Sequence, residues 1–396
     1  MNFDRTPLEL ELEAQVQAFL REVVIPYEHD PRIGAHGPTE ELRRELQRSA
    51  RARGLLAPQL SAKHGGRGLD HRQTATVLRA SGYSLLGPLA MNVMAPDEGN
   101  MYMLERIASA SQLERYLAPL AAGDVRSCFL MTEPDGGAGS DPSMLMTTAH
   151  QRGDEWIIQG RKWLITGAAG ADFGILMAKT EHGATMFLVS MNDSALHLER
   201  QLDTLDRSLP GGHSCITIEG LKLGPDAILG APHEGYRYAQ VRLAPARLTH
   251  CMRWWGAALR AHDHAVGYAM QRRAFGKSLI DHEGVSFMLA DNAMDLQQTL
   301  LLIDHTAWIL DQGHDGSHES SMTKVVCSEA LARIVDRSLQ ILGGLGVTDD
   351  APVAKIYREI RGFRIYDGAS EVHRWAIARR LSRRAPPASV ASHQVP

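Results

Sequence analysis

Cysteine is scarce in this chain, and none of it is arranged for metal or disulfide chemistry. No CxxC pair occurs among the cysteines, which are Cys128, Cys215, Cys251 and Cys327. This scatter argues against a zinc site or a disulfide framework and favours a reducing compartment, the cytoplasm. The histidine pairs at 262/264 and 314/318 have no supporting ligands nearby in sequence, so no metal site is predicted.

Long apolar runs and a strong charge of one sign are also missing. The best candidate for a membrane span, residues 300–310, is interrupted by Asp304 and His305. The first residues are polar and acidic and lack the layout of a signal peptide. Lysine and arginine number 42 against 46 aspartates and glutamates, a net charge of −4, so neither nucleic acid nor an anionic membrane is an expected partner.

The first third of the chain has the pattern of a helical domain. Thr6 followed by Pro7 and Glu9 is typical of a capped helix start. Helical periodicity returns at residues 39–53, 71–82 and 111–121, and a glycine-rich loop is predicted at residues 57–68.

The pattern changes to β near residue 125. Residues 126–131 are β-like, and residues 155–166 predict two strands joined by a turn at Gln159-Gly160. Further strands are expected at residues 185–191 and 213–223. This spacing fits a compact β domain of about a hundred residues.

Helical pattern returns at residue 235 and continues almost to the end. Long amphipathic stretches cover residues 236–275, 283–310 and 320–342, and a last helix follows Asp367. The predicted fold is therefore a multidomain α+β protein. Its expected parts are an N-terminal helical domain at residues 1–124, a β-barrel-like domain at 125–234, a C-terminal four-helix bundle at 235–385 and a flexible tail at 386–396.

Asp367 is the candidate catalytic carboxylate. It precedes Gly368, and the Asp-Gly step lies between two helical stretches, where the backbone can turn tightly and approach a ligand. A carboxylate fixed between rigid helices suits proton abstraction. The alternative is that Asp367 only caps the helix that begins at Ser370 and Glu371.

Other segments could bind a planar heterocycle or a phosphate, although each has an ordinary structural explanation. Thr132, Ser140 and the amides of Gly136, Gly137 and Gly139 could donate hydrogen bonds, or could belong to a surface loop. The arginines at 272 and 273 could bind a diphosphate or could complement a helix dipole. Residues 340–344 could approach a cofactor or could simply end a helix.

Taken together in this order, the motifs resemble those of the acyl-CoA dehydrogenase family over almost the whole chain. The segments are FLMTEPDGGAGSD at 129–141, RKWLITG at 161–167, RRAFGK at 272–277, QILGG at 340–344 and YDGASEVHR at 366–374. APDEGNM at 95–101 and ARLTHCM at 246–252 further resemble the branch of family members 10 and 11.

The resemblance implies FAD as cofactor, α,β-dehydrogenation of an acyl-CoA as the reaction and Asp367 as the base. Its implied substrate contacts are Ser140, Arg247 and Gly368. Its implied flavin contacts are Phe129, Met131, Thr132, Ile165 and Thr166. The rest of the FAD site, shared with a neighbouring subunit, would use Arg272, Phe275, His282, Glu283, Gln340, Gly343, Gly344, Ala369 and Glu371. A homodimer or homotetramer, an electron-transferring flavoprotein as acceptor and a role in fatty acid β-oxidation are implied as well.

The chain departs from the family pattern at the base itself. The family usually has glutamate where this chain has Asp367, which shortens the reach by about one C–C bond, ~1.5 Å. Ala246 stands where some relatives carry an alternative glutamate base. We expect desolvation beneath a bound thioester to raise the pKa of Asp367.

Three other functions share these motifs. An acyl-CoA oxidase would pass the electrons to oxygen, and a nitroalkane oxidase-like enzyme would use an aspartate base without CoA. A flavin-bearing DNA-binding protein is favoured slightly by the basic run Arg374, Arg379, Arg380, Arg383 and Arg384. The length and substitution of the acyl chain do not follow from the sequence.

Overall fold

The computed structural model describes residues 4–383, so the expected tail at 386–396 lies outside the described residues. The N-terminal part is helical, as predicted, with one small β-hairpin inserted. Its helices are α1 (Pro7–Phe19), α2 (Glu40–Ala52), α3 (His71–Ser81), α4 (Gly87–Ala90), α5 (Asp97–Ile107), α6 (Ala110–Gln112) and α7 (Ala118–Ala121). The hairpin pairs β1 (Ile33–Gly34) with β2 (Gly37–Pro38). The capping box expected at Thr6 is present, since Thr6 and Glu9 exchange hydrogen bonds.

The middle part is a curled sheet whose strands differ in detail from the prediction. They are β3 (Ser127–Leu130), β4 (Thr148–Arg152), β5 (Glu155–Thr166), β6 (Phe173–Thr180), β7 (Gly183–Ser190), β8 (Leu196–Leu202) and β9 (His213–Leu223). The order is β3-β6-β4-β5-β9-β8, with β7 pairing β6 along its other edge. Only β3–β6 and the single β4–β6 pair are parallel.

The predicted turn at Gln159-Gly160 is wrong, because β5 is continuous through it. The register with β9 shifts between Ile158 and Gln159, so the polar pair marks an irregularity within one strand. A Cβ on Gly160 would lie 2.4 Å from Thr147 Oγ1, which shows why glycine is needed where β4 begins. The prediction also missed β4, β6 and β8, because none of them alternates: β6 is buried almost throughout, and β4 and β8 are exposed over most of their length.

The C-terminal part is a helical bundle, as predicted. It contains α8 (Gly235–Gln271), α9 (Glu283–Asp311), α10 (Ser317–Leu342), α11 (Pro352–Ile360) and α12 (Ser370–Arg383), with a short hairpin of β10 (Arg273–Ala274) and β11 (Lys277–Ser278). Helix α8 packs against α3, α5, α9, α10 and α11 and also reaches β7. Consequently one buried core joins the first helices to the bundle, from Leu12 and Phe19 to Ile303 and Leu331.

Helix α8 can approach α3 closely because glycines face the crossing. A Cβ on Gly256 would lie 2.1 Å from the carbonyl oxygen of Arg79, and one on Gly82 would lie 1.9 Å from that of Arg253. Backbone atoms cannot rotate away as a flexible side chain can, so any larger residue must separate the two helices. No helix within residues 4–383 is both long enough and apolar enough to cross a membrane.

We therefore predict that Gly256→Ala destabilises the protein by about 1–3 kcal/mol, as overpacking usually does. Gly267→Ala is the matched control, since it lies in the same helix and its Cβ would meet nothing within 4 Å. That substitution should be stabilising by about 0.5–1 kcal/mol, the helical preference for alanine. Denaturant unfolding compares the two variants, and equal stabilities would contradict the proposed close crossing.

Candidate active site

A large cavity lies where the curled sheet meets the N-terminal and C-terminal helices. Its volume is about 1060 Å³. The cavity brings together predicted site residues from the middle and C-terminal parts of the chain, namely Phe129, Met131, Thr132, Ser140, Thr166, Arg247, Asp367 and Gly368. Such a volume slightly exceeds that of an ordinary drug-sized site.

Helix α8 supplies one wall of the cavity through a regular stripe. Arg242, Ala246, His250, Trp254 and Ala257 all line it, spaced four, four, four and three residues apart. These spacings place side chains on one face of an α-helix. The cavity therefore receives a stripe of mixed polar and apolar side chains from a helix that packs against several other elements.

Asp367 faces this stripe and is paired with a histidine. Its Oδ2 lies 3.1 Å from Nε2 of His250, and both side chains are largely buried. The Nδ1 of His250 lies 3.1 Å from the guanidinium of Arg253, which can only donate. Nδ1 must therefore accept, and the neutral ring carries its proton on Nε2 and donates it to Asp367. The carboxylate pairs with His250, so the simple capping explanation is not the arrangement observed.

The backbone around Asp367 is also fixed by side chains. Its carbonyl oxygen accepts hydrogen bonds from Arg247 Nε at 3.2 Å and from His373 Nε2 at 3.1 Å. The next carbonyl, that of Gly368, accepts from Lys324 Nζ at 2.6 Å. Asp367 has a φ of 52° and Gly368 one of 95°, a left-handed turn that costs energy at the non-glycine residue. The surrounding donors offset that cost and hold the turn in place.

The expectation of a raised pKa for Asp367 concerns the site beneath a bound thioester and stays a prediction. Burial does raise the pKa, but the hydrogen bond from His250 and the charges of Arg242 and Arg247 lower it further, to well below its ordinary value. Burial and the neighbouring Arg253 lower the pKa of His250, so the ring stays neutral. The site is thus an ionised carboxylate beside a neutral donor.

The opposite wall is built from the sheet and the glycine-rich loop. Phe129 lies under the guanidinium of Arg242, whose carbon is 4.3 Å from the ring centre. Leu164 and Thr166 line the cavity, whereas Ile165 between them is only 1 % exposed and packs in the sheet core. This alternation is that of a strand, and the register shift between Lys162 and Ile165 sets which side chains face inward. The family resemblance implied that Ile165 lies beside the flavin, whereas its side chain packs in the core of the sheet.

The glycine-rich loop is held by a buried ion pair. Glu133 lies 2.8 Å from Lys162 Nζ, and both side chains are almost fully buried. Glu133 also accepts from the amides of Ala138, Met146 and Thr147. The expectation that Gly137 presents a free amide is wrong, because that amide donates to the carbonyl of Pro134.

The remaining predicted contacts lie outside the cavity on this chain. Phe275 is 95 % exposed at the tip of the β10–β11 hairpin, and His282 Nε2 lies 3.1 Å from the carbonyl of Ala274 behind it. Arg272, Glu283, Gln340, Gly343, Gly344, Ala369 and Glu371 also do not line the cavity. A second chain would have to bring the hairpin and the 340–344 turn to a shared site.

The basic run does not form one open patch over the residues that are described. Arg374 lies 3.9 Å from Glu329, Arg379 stacks over Trp375, and Arg380 lines the cavity. Arg384 lies outside the described residues, and the side chain of Arg383 is not described.

Residues 4–383 contain no cluster of three or more histidine, cysteine or acidic side chains placed to hold a metal ion. The expected absence of a metal site stays a prediction.

This succession of a helical part, a curled β-sheet and a second helical part is the acyl-CoA dehydrogenase fold, and comparisons with known proteins agree. Family models match in three consecutive parts: "Acyl-CoA dehydrogenase, N-terminal domain" at residues 6–124, "middle domain" at 128–209 and "C-terminal domain" at 233–382. The chain belongs to the acyl-CoA dehydrogenase family and is an oxidoreductase. Members of this family are FAD-dependent.

Individual relatives refine this assignment. The chain is 33 % identical to the Mycobacterium tuberculosis protein named "Probable acyl-CoA dehydrogenase FadE2", over 97 % of this chain and 98 % of that one. It is 32 % identical to acyl-CoA dehydrogenase family member 11 of Gallus gallus, over 93 % of this chain but only 50 % of that longer protein. The predicted branch is thereby confirmed. A Mycobacterium abscessus structure described as an acyl-CoA dehydrogenase superposes with a TM-score of 0.89 at 36 % identity, covering 97 % of this chain and 100 % of its own.

We predict that Glu133→Gln destabilises the protein by about 3–5 kcal/mol, because it leaves Lys162 charged and buried without its partner. Asp135→Asn is the control, since Asp135 belongs to the same loop but pairs with Arg161 at the surface. Its loss should cost below about 1 kcal/mol. Calorimetric unfolding measures both, and a Glu133→Gln variant as stable as the control would contradict a structural role for the pair.

Proposed function

We propose that this chain catalyses the FAD-dependent α,β-dehydrogenation of an acyl-CoA thioester to the trans-2-enoyl-CoA. The observation that carries the proposal is the ionised carboxylate of Asp367, buried in the cavity, held by His250 and facing the sheet wall that contains Thr132 and Thr166. That geometry separates a base on the helical side from a flat, largely apolar surface on the other side.

The residues present fit FAD. The cavity is large enough for a ring and a substrate together, and Phe129, Met131 and Leu164 give its sheet wall an apolar surface for a planar ring. Thr132, Ser140 and Thr166 supply hydroxyls at the edge of that surface. When bound, FAD supplies the redox chemistry by accepting a hydride from the β-carbon.

The protein's own part is to position the thioester and to remove a proton. Asp367 takes the proton from the α-carbon, and the main-chain N–H of Asp367 polarises the thioester carbonyl. Arg247 and His373 keep the turn rigid by holding the carbonyl of Asp367. Because His250 occupies Oδ2, the other carboxylate oxygen is the one proposed to face the substrate.

The lowered pKa of Asp367 favours a second candidate, oxidation of a nitroalkane. A weakly basic carboxylate suits a substrate whose α-hydrogen is more acidic than that of a thioester. Anaerobic addition of butyryl-CoA, longer acyl-CoAs and nitroethane in turn, with bleaching of the bound flavin as the signal, separates the two. Reoxidation in air, compared with reoxidation by an electron-transferring flavoprotein, then distinguishes an oxidase from the dehydrogenase that we propose.

We expect Asp367→Asn to lower turnover by about 10²–10⁴-fold, the usual contribution of a general base, because the amide cannot accept the proton. FAD content and the fold should be retained, because asparagine keeps the volume of the side chain. Asp336→Asn, an exposed aspartate on α10, is the control and should keep full turnover. An Asp367→Asn protein as active as this control would show that another group is the base.

We also propose that the protein is a homodimer or homotetramer, because the predicted FAD residues outside the cavity need a second chain. Helix α9 offers the surface: Phe287, Met294 and Leu301 are 65 %, 55 % and 41 % exposed and recur every seven residues. Side chains at this spacing form one stripe along a helix. An exposed apolar stripe of this kind is typical of an interface.

The double variant Phe287→Asp/Met294→Asp should therefore sediment as a smaller species and retain less FAD. Leu10→Asp is the matched control, since Leu10 is 51 % exposed on α1, far along the chain from the shared residues. Analytical ultracentrifugation with flavin absorbance reads both properties in one run. An unchanged mass for the double variant would place the subunit contact elsewhere.

A further inference from the structure

A second hydrogen-bonded histidine lies on the sheet wall, opposite Asp367. Oγ1 of Thr166 is 3.0 Å from Nδ1 of His213, and Nε2 of the same ring is 2.7 Å from Oδ2 of Asp206. All three residues line the cavity. Thr166 ends β5 and His213 begins β9, and the two are register partners.

The direction of each hydrogen bond follows from the chemistry of the groups. Burial raises the pKa of Asp206, but the interaction with His213 and the hydrogen bond from Thr204 together outweigh burial, and the pKa lies below its ordinary value. An ionised carboxylate can only accept, so Nε2 of His213 must carry a proton. In the neutral ring Nδ1 then accepts from the Thr166 hydroxyl, whose oxygen offers the cavity only lone pairs. In the cationic ring Nδ1 donates to that oxygen, and the hydroxyl hydrogen is free to point into the cavity.

We propose that His213, oriented by Asp206, is a positioning residue that sets whether the Thr166 hydroxyl accepts or donates a hydrogen bond at the cavity wall. The inference rests on the proposed function in one respect, namely that the group facing Thr166 is the flavin. The central ring nitrogens of an oxidised flavin accept hydrogen bonds, whereas the reduced ring carries an N–H that donates. A cationic His213 therefore suits the oxidised ring, and a neutral His213 suits the reduced ring.

The loop that carries Asp206 is fixed from the helical side. Glu359 of α11 accepts from the amide of Arg207 and from Ser208 Oγ, the latter at 2.6 Å. The guanidinium of Arg126 donates to the carbonyl of Pro210 at 2.9 Å. Contacts from the middle part and from the C-terminal part thus fix the position of Asp206, as a positioning role requires.

Other ionisable groups near this arrangement do not replace His213. Glu359 and Tyr366 face Asp206 from the C-terminal part, where they interact with its charge. His36 of the N-terminal part lies beside Gly212, and Arg126 donates to main-chain carbonyls. Only His213 joins the Thr166 hydroxyl to a carboxylate by direct hydrogen bonds among the described residues.

The test is the pH dependence of the flavin midpoint potential in the FAD-loaded protein, over about pH 5 to 9, the range that brackets histidine titration. Because the cationic ring suits the oxidised flavin and the neutral ring suits the reduced flavin, two-electron reduction should release one proton from His213 to solvent over a window of this pH range. In that window the unchanged protein should take up one proton fewer on reduction. His213→Phe and Thr166→Val should lack the window, and Thr166→Ser should restore it.

His197→Phe is the matched control, since His197 pairs with Glu219 at 3.8 Å on the same sheet but outside the cavity. It should keep the window. The proposal is overturned if Thr166→Val still shows the pH window in which reduction takes up one proton fewer, or if the unchanged protein lacks that window. The Thr166→Val result is sufficient even if His213→Phe does not fold.

Failure of the proposed function remains distinguishable from failure of this inference. A protein that binds no flavin refutes the proposed function, and the proposal about His213 is then tested on the flavin-free protein. Nitrogen NMR of histidine-labelled protein should show His213 protonated at Nε2, with an Nδ1 resonance that moves in Thr166→Val. The proposal about His213 is overturned if the neutral ring carries its proton on Nδ1, or if the Nδ1 resonance does not change in Thr166→Val.

Discussion

The hydrogen bond between the neutral ring of His250 and the carboxylate of Asp367 is the interaction on which the rest of the site depends. A buried ionised carboxylate without partners would take up a proton. Here one carboxylate oxygen is engaged by a donor whose tautomer is fixed by Arg253. The remaining charge is balanced by the buried guanidinium group of Arg242 and the partly buried one of Arg247. Helix α8 supplies all four of these partners, so the electrostatics of the site follow from one helix.

That helix is also the element that joins the parts of the fold. Its first turns reach β7 of the sheet, its middle crosses α3 where Gly256 and Gly82 permit close contact, and its length packs on α9 and α10. A cavity wall built on an element held from several sides moves little. The same rigidity extends to the opposite wall through the Glu133–Lys162 pair and through Glu359, which ties the 203–210 segment to α11. The shape of the cavity therefore depends on contacts between the N-terminal helices, the sheet and the C-terminal helices, rather than on contacts within any one of them.

His250 and His213 lie on opposite walls of the cavity and have different chemical roles. His250 is neutral and donates to a carboxylate, so it stabilises a base in its ionised form. His213 lies between a carboxylate and a hydroxyl and can transmit a change of protonation into a change of hydrogen-bond direction. The difference arises from their neighbours: Arg253 forces one tautomer at His250, whereas Thr166 can either donate or accept. Proton removal and the tuning of a bound ring are therefore proposed on opposite sides of one cavity.

Periodicity and motif order in the sequence determined the helical–β–helical succession, the long bundle helices and the family, because these depend on residues close together in the sequence and on the order of short motifs. They also singled out Asp367, and they included His250 within the 246–252 motif without giving it a role. Tertiary structure decided the ionisation of Asp367, since the groups that set it are 114 to 125 positions away in the chain, at residues 253 to 242. It also decided that Ile165 faces the sheet core and that Thr166, His213 and Asp206 meet, because strand register and bulges place side chains by pairing between distant segments. Sequence patterns specify which elements form, whereas side-chain partners and their charges become defined only when those elements pack.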